Sequence, residues 1–160
     1  MAEASISNRD HDLSISLFGP TLFHRSGEPL QLGLKGTTLE LLGFLLAHAG
    51  HEMRRECIAE RFWSASSEAR QRSSLNSAIW RIGRKLPVDP GLRLITTDAT
   101  LSMLVDPAIP VDARDLCILV HEACGPDGLA PDCAARLEAA IAASDQPFLD
   151  GFDADWTLAE

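Results

Sequence analysis

The sequence predicts an α+β domain, with a small antiparallel sheet, three helices and a hairpin in that order, followed by an incomplete all-α segment. Three observations carry this prediction. Short alternating stretches broken by turn residues run from Leu13 to Leu32. Helical apolar spacing then dominates from Thr37 to Leu86. Two β-rich runs meet at Asp98-Ala99, and past Asp106 the composition shifts to helix formers and acids.

Leu13 to Gly19 alternates apolar and polar residues and ends in Gly-Pro, which reads as a strand. Thr21 to His24 and Leu30 to Leu32 are two further short strands, separated by the turn Arg25 to Pro29. Thr37-Thr38-Leu39-Glu40 matches a capping box, in which hydroxyl and carboxylate each satisfy a free backbone N–H. The helix it opens, about 38–48, places Leu39, Leu42, Leu45 and Leu46 on one side and ends at Gly50. A second helix, about Arg55 to Trp63, buries Cys57 or Ile58 together with Phe62 and Trp63, and Ser64 to Glu68 is a polar loop. The third helix, Arg70 to Leu86, stops at Pro87, and Pro90-Gly91 marks a turn. Leu92 to Thr97 and Thr100 to Val105 form the hairpin. Sheet, three helices, hairpin is the order of a winged helix-turn-helix, spanning 13–106.

Pro107 and Pro110 bracket a short linker to the second part, 111–160. Val111 to Cys124 is helical, with Leu116, Val120 and Cys124 spaced by four, and a Gly/Pro/Asp-rich loop from Gly125 to Asp132 follows. Cys133 to Ala143 is another helix with Leu137 and Ile141 on one face, and a further helix begins near Trp156. Two such helices make a hairpin but cannot close a core, so this part is expected to be incomplete.

Charge is distributed unevenly. The net charge is −9, yet residues 54–93 hold nine Arg/Lys against four acids (+5), whereas residues 94–160 hold two against thirteen (−11). A basic middle in an acidic chain fits a local polyanion-binding surface; a solvated basic helix face is the bland alternative. The four cysteines lack Cys-x-x-Cys spacing, and Cys57, Cys117 and Cys124 lie on apolar faces of helices, so buried thiols are expected and zinc is not. No nucleophile elbow, phosphate-binding Gly-rich loop with Lys or zinc-protease motif is present, so no enzyme or cofactor is expected. His48, His51 and Glu52 read as a solvated turn, and Asp150, Asp153 and Asp155 as an acidic turn lacking the Gly and Glu of a calcium loop. The N-terminus, Met1 to Asp12, is polar and acidic and reads as a frayed leader. The longest apolar stretch, Leu41 to Ala47, is too short for a bilayer, so the expectation is a cytoplasmic protein with no membrane partner.

On a helical wheel Leu75, Ile79, Ile82 and Leu86 form the inward stripe of the third helix, with Ala78 beside it. Arg70, Ser73, Ser77, Trp80, Arg81 and Arg84 lie opposite, flanked by Asn76 and Lys85, on a face without acids. Such a face suits double-stranded DNA. Asn76 has the groups for a bidentate adenine contact, and Ser73 and Ser77 are small enough to approach base edges. Arg81, Arg84 and Lys85 suit phosphates, as do Arg70 and Arg72 near the helix N-terminus. Trp80 has two readings: against sugar or thymine methyl groups, or, as exposure of tryptophan is costly, folded back as peripheral core, which is favoured. Thr97 and Thr100 at the hairpin tip would reach a minor groove or backbone.

These residues resemble the bacterial antibiotic-regulatory activator type of regulator (the SARP family), where an OmpR/PhoB-type winged helix precedes a bacterial transcriptional activator domain of TPR-like helices. Leu17 to Pro20 resembles the family's first strand and turn, Ile58 to Trp63 its second helix, and Leu75 to Ile82 its recognition helix. Asp112 and the helix after it resemble the opening of the activator domain, and Phe148 to Glu160 its Gly-to-Trp segment. The chain departs from the family pattern at Arg54 (usually Ser or Thr), at Gly83 (commonly Arg) and at Thr96-Thr97 (usually Gly-Tyr). The resemblance implies a sequence-specific transcriptional activator that binds direct repeats in promoters through the major groove, with the helical domain continuing past Glu160. The acidic part would dimerise on DNA, contact RNA polymerase or relay a signal. A polymerase contact is expected at the second helix and the Ser64 to Glu68 loop. The alternative is a protein-interaction adaptor that keeps the winged helix without DNA binding, as the acidity and Gly83 permit.

Overall fold

The computed structural model describes residues 12–20, 22–123, 131–143 and 147–149. Strand β1 (Leu13–Ile15) pairs antiparallel with β2 (Phe23–Arg25), which pairs with β3 (Glu28–Pro29). Alternation puts Leu13, Ile15 and Phe23 in the core. Between β2 and β3, Ser26 (φ 51°) and Gly27 (φ 82°) supply the two consecutive positive φ values of a tight hairpin turn. Because this turn is only two residues long, Arg25 pairs at once with Glu28. The third strand therefore lies before Leu30–Leu32, where the sequence suggests it; Leu30 N–H still donates to Phe23 O at 2.8 Å.

Helix α1 (Thr37–Ala47) is the centre of the domain, packed against α3 (Glu68–Lys85) and β6 (Thr100–Val105). Its apolar surface is wider than one stripe, since Leu41, Leu42, Phe44, Leu45 and Leu46 are all buried while Leu39 is only partly so. The expected capping box does not form. Gly36, at φ 54° and ψ −147°, is the N-cap, and its carbonyl accepts from the N–H groups of Leu39 and Glu40. Thr37 is thus already inside the helix, one position too late for its hydroxyl to cap.

Strand β4 (Met53–Arg54), not foreseen from the sequence, leads into α2 (Arg55–Trp63). It adds to β6 so that the wing is a three-stranded antiparallel sheet, β4-β6-β5, with β5 spanning Leu92–Thr96. In α2 the buried pair is Ile58 and Ala59, with Phe62 and Trp63 partly buried. That choice turns Cys57 outward, and Cys57 and Cys117 are both exposed, contrary to the expectation of buried thiols. Helix α3 starts two residues before Arg70, because extended Ser67 caps it and accepts from Gln71 N–H at 2.9 Å. The Gln71 side chain donates to Trp63 O (3.2 Å) and Ser66 O (3.0 Å), tying α3 to the end of α2. Leu75, Ala78 and Ile82 are its buried face, and the helix ends at Lys85, just before Pro87.

The Pro107–Pro110 stretch packs into the domain: Ile109 is fully buried, Ile15 N–H donates to Pro110 O, and Ile15 bridges Val111 in parallel. Helices α4 (Asp112–Ala123) and α5 (Pro131–Ala143) pack on each other. Val120 and Ile141, expected on inward faces, are exposed, as is Ile118. The chain then returns to the first sheet, where Phe148 bridges Phe18 and Leu149, buried, donates its N–H to Leu17 O at 2.6 Å. The leader at 1–11, the loop at 124–130, the side chain of Cys133 and the segment 150–160, with its acidic turn and the helix expected at Trp156, lie outside the described residues. Among the described residues no helix is long and apolar enough to cross a membrane.

Candidate nucleic-acid interface

Helix α3 buries one side and leaves the other open. Arg70, Arg72, Ser73, Asn76, Ser77, Arg81, Arg84 and Lys85 are all exposed along it. Trp80 is 62% exposed rather than folded back onto the core. The core beneath α3 is already filled by Leu75, Ala78 and Ile82, and Trp80 points away from that stripe. Its ring is covered instead by the Arg84 guanidinium, 4.9 Å from the centroid, a one-turn (i, i+4) cation–π pair. An exposed indole held by a cation is an amphipathic contact surface rather than misplaced core.

Two grooves flank this face. On the wing side, a groove of about 990 Å³ runs between the first half of α3, the start of α2 and the wing tip. Arg54, Arg55 and Arg72 line it, with Glu56 and Asp98 as its acids. Arg72 lies 3.9 Å from Glu56, an exposed pair that adds little stability but places one acid beside a helix face that has none of its own. On the other side, a groove of about 380 Å³ separates α3 from the start of α1. Lys35, Thr37, Thr38, Ser73, Ser74, Ser77, Arg81 and Trp63 line it, so its walls are almost wholly polar. A third, shallower recess of about 380 Å³ on the outer face is bounded by Asn76, Ser77, Trp80 and Arg81.

The wing tip is closed by its threonines. Thr97 Oγ1 accepts from the N–H groups of Ala99 (3.2 Å) and Thr100 (2.9 Å) and meets Thr100 Oγ1 at 2.8 Å. Thr100 Oγ1 also donates to Glu52 Oε1 at 2.5 Å. Both hydroxyls therefore shape the turn. Arg55, absent from the sequence-based list, joins the wing to α3. Its guanidinium donates to Thr96 Oγ1 (2.6 Å), Thr97 O (3.3 Å) and Asn76 Oδ1 (2.5 Å), and its N–H donates to Ala99 O (2.9 Å). Lys35 and Arg54, which line the two grooves, were also missed. None of the three lies on α3, and only the packing of α1, α2 and the wing around that helix brings them to it.

No protein-family model and no curated protein sequence matches the chain. Among solved structures, Mycobacterium tuberculosis EmbR in complex with a low affinity phosphopeptide is similar, with a TM-score of 0.68 and 19% sequence identity. The match covers 92% of this chain but 40% of that one, so this chain spans well under half of the similar protein's length. Likeness at this identity is one of fold, and it extends over the winged-helix part and into the helices that follow.

Proposed function

We propose that the chain is a SARP-type transcriptional regulator that binds promoter DNA by laying the outer face of α3 in the major groove. The observation that carries this reading is the pair of cation-bearing grooves on either side of an exposed Arg/Ser/Asn/Trp helix face. A major groove about 12 Å wide admits one helix and is bordered by a phosphate strand on each side. Arg54 and Arg72 face one strand; Lys35 and Arg81, with Ser73 and Ser77, face the other. Trp80 lies against sugar or thymine methyl groups, Arg70, Arg84 and Lys85 grip backbone, and the Thr97–Thr100 turn brings the wing tip to the duplex edge. Residues 13–106 form the DNA-binding unit, and 111–160 begin a helical activator domain that is acidic and faces away from DNA. That domain supports dimerisation on repeated sites, and α2 with the Ser64–Glu68 loop is the surface offered to RNA polymerase.

The test is selection of bound duplexes from a randomised library by the full chain, followed by gel shift across a salt series. With Lys35, Arg54, Arg70, Arg72, Arg81, Arg84 and Lys85 on phosphates, log K should fall against log salt with a slope of roughly −6. Arg84→Ala should weaken binding to every sequence and reduce the slope by about 0.9. A chain that enriches no duplex, or whose binding ignores salt, is the protein-interaction adaptor instead.

A further inference from the structure

Asn76 would be expected to read adenine, but its partner works against that geometry. A bidentate adenine contact needs the amide oxygen to accept from N6 while the amide nitrogen donates to N7. In this structure the Arg55 guanidinium lies 2.5 Å from Asn76 Oδ1. Arginine carries only donors, so the amide atom facing it is the oxygen and the nitrogen is the one left free. Arg55 is itself fixed by Thr96 Oγ1 at 2.6 Å, by Thr97 O at 3.3 Å and by its place at the first turn of α2. Adenine N6–H would have to use the second lone pair of that carbonyl, beside a cation whose own N–H groups repel another donor. Guanine offers the opposite edge, with O6 and N7 both acceptors.

We infer that Arg55 is a specificity-positioning residue: by holding the Asn76 amide oxygen it makes Asn76 a donor-only reader that selects guanine over adenine at its base position. This rests on the DNA-binding reading above and adds to it which base is read and why. Arg55 touches no base in this scheme; it acts through Asn76.

The experiment is the library selection repeated with Asn76→Ala, Arg55→Met and Asn76→Asp in the full chain, comparing base preferences position by position. Asn76→Ala should flatten one position, which identifies where Asn76 reads. At that position the unmodified chain should favour guanine over adenine by roughly ten-fold or more, as for a well-made base contact. Arg55→Met removes the cation, frees Oδ1 and should switch the same position to adenine, although loss of the wing contacts lowers affinity overall. A purely structural role for Arg55 would lower affinity without changing the base. Should Arg55→Met fail to fold, Asn76→Asp keeps Arg55 in place, replaces the donor with an acceptor and should move the preference to cytosine, whose N4 donates. Adenine preference in the unmodified chain, an unchanged base in both Arg55→Met and Asn76→Asp, or no position flattened by Asn76→Ala would overturn the inference while leaving DNA binding intact. Failure of the unmodified chain to enrich any duplex would instead remove the DNA-binding reading itself, and this inference with it.

Discussion

Gly91 stands at the entrance to β5 with its backbone held from both sides. Its N–H donates to Asp89 Oδ1 at 2.7 Å, and its carbonyl accepts from Asp106 N–H at 2.7 Å. A Cβ added there would come 2.7 Å from Asp106 Cβ and 3.0 Å from Ile109 Cδ1. The first of these cannot swing aside, because it is the root of a side chain whose backbone makes the hydrogen bond. Gly91→Ala should therefore destabilise by about 1–3 kcal/mol, as small-to-large changes do in packed sites. Urea unfolding should show a lower midpoint at an unchanged slope. Position 91 was legible as a turn from Pro90-Gly91 alone, but its close approach to Asp106 and Ile109 depends on where the chain returns after the hairpin. Trp80 teaches the same limit. Cost of exposure argues for burial, yet Arg84 one turn later supplies a cover that a wheel does not display, because it shows facing but not which neighbours stack.

Elements with a strong period were readable, and α3 most of all, since its buried residues Leu75, Ala78 and Ile82 coincide with the stripe on the wheel. The hairpin was likewise plain from two β-rich runs. What stayed hidden were pieces too short to have a period. Strand β4 is two residues, Met53 and Arg54, recruited by the open edge of β6 rather than by their own pattern. The start of α1 was misplaced because Thr37 and Glu40 have the spacing of a cap, whereas Gly36 can adopt the backbone that ends the preceding segment one residue sooner. Gly83 is the weak point of α3. It is exposed, and a Cβ there meets nothing within 4 Å. Gly83→Ala should then stabilise the chain by about 1 kcal/mol, through helix propensity and a less flexible unfolded state. Thermal unfolding should show a higher midpoint, and binding to a selected duplex should be retained, because the methyl group adds no charge to the outer face.

At the scale of the whole molecule, one carboxylate gathers the side-chain hydrogen bonds of the joint between the first sheet and the helices after the wing. Asp112 opens α4, yet its oxygens accept from Leu17 N–H (2.7 Å), Phe18 N–H (3.2 Å) and Ser16 Oγ (2.5 Å), as well as from its own neighbour Ala113 N–H. These partners lie more than ninety residues back in the chain, so no local pattern could reveal them. The sequence disclosed only that Asp112 follows two prolines and starts a helix. Ile109, Val111 and Leu149 join the same core as β1, which makes this joint part of the packing and not a loose tether. Asp112→Ala leaves the Leu17 and Phe18 donors without their acceptor while removing a charge from the first turn of α4. Since a hydrogen bond to a charged group contributes about 1.5–3 kcal/mol and this site is partly buried, the variant should lose about 2–3 kcal/mol in chemical unfolding. Asp112→Asn keeps one amide oxygen as acceptor and should lose roughly half as much. Amide hydrogen exchange separates the joint from a general loss of stability. Leu17 and Phe18 should exchange faster by more than the global change explains, while the amides of α3 follow the global change alone. Equal acceleration at both places would mean that Asp112 supports the fold at large and that the first sheet and α4 do not part as a unit.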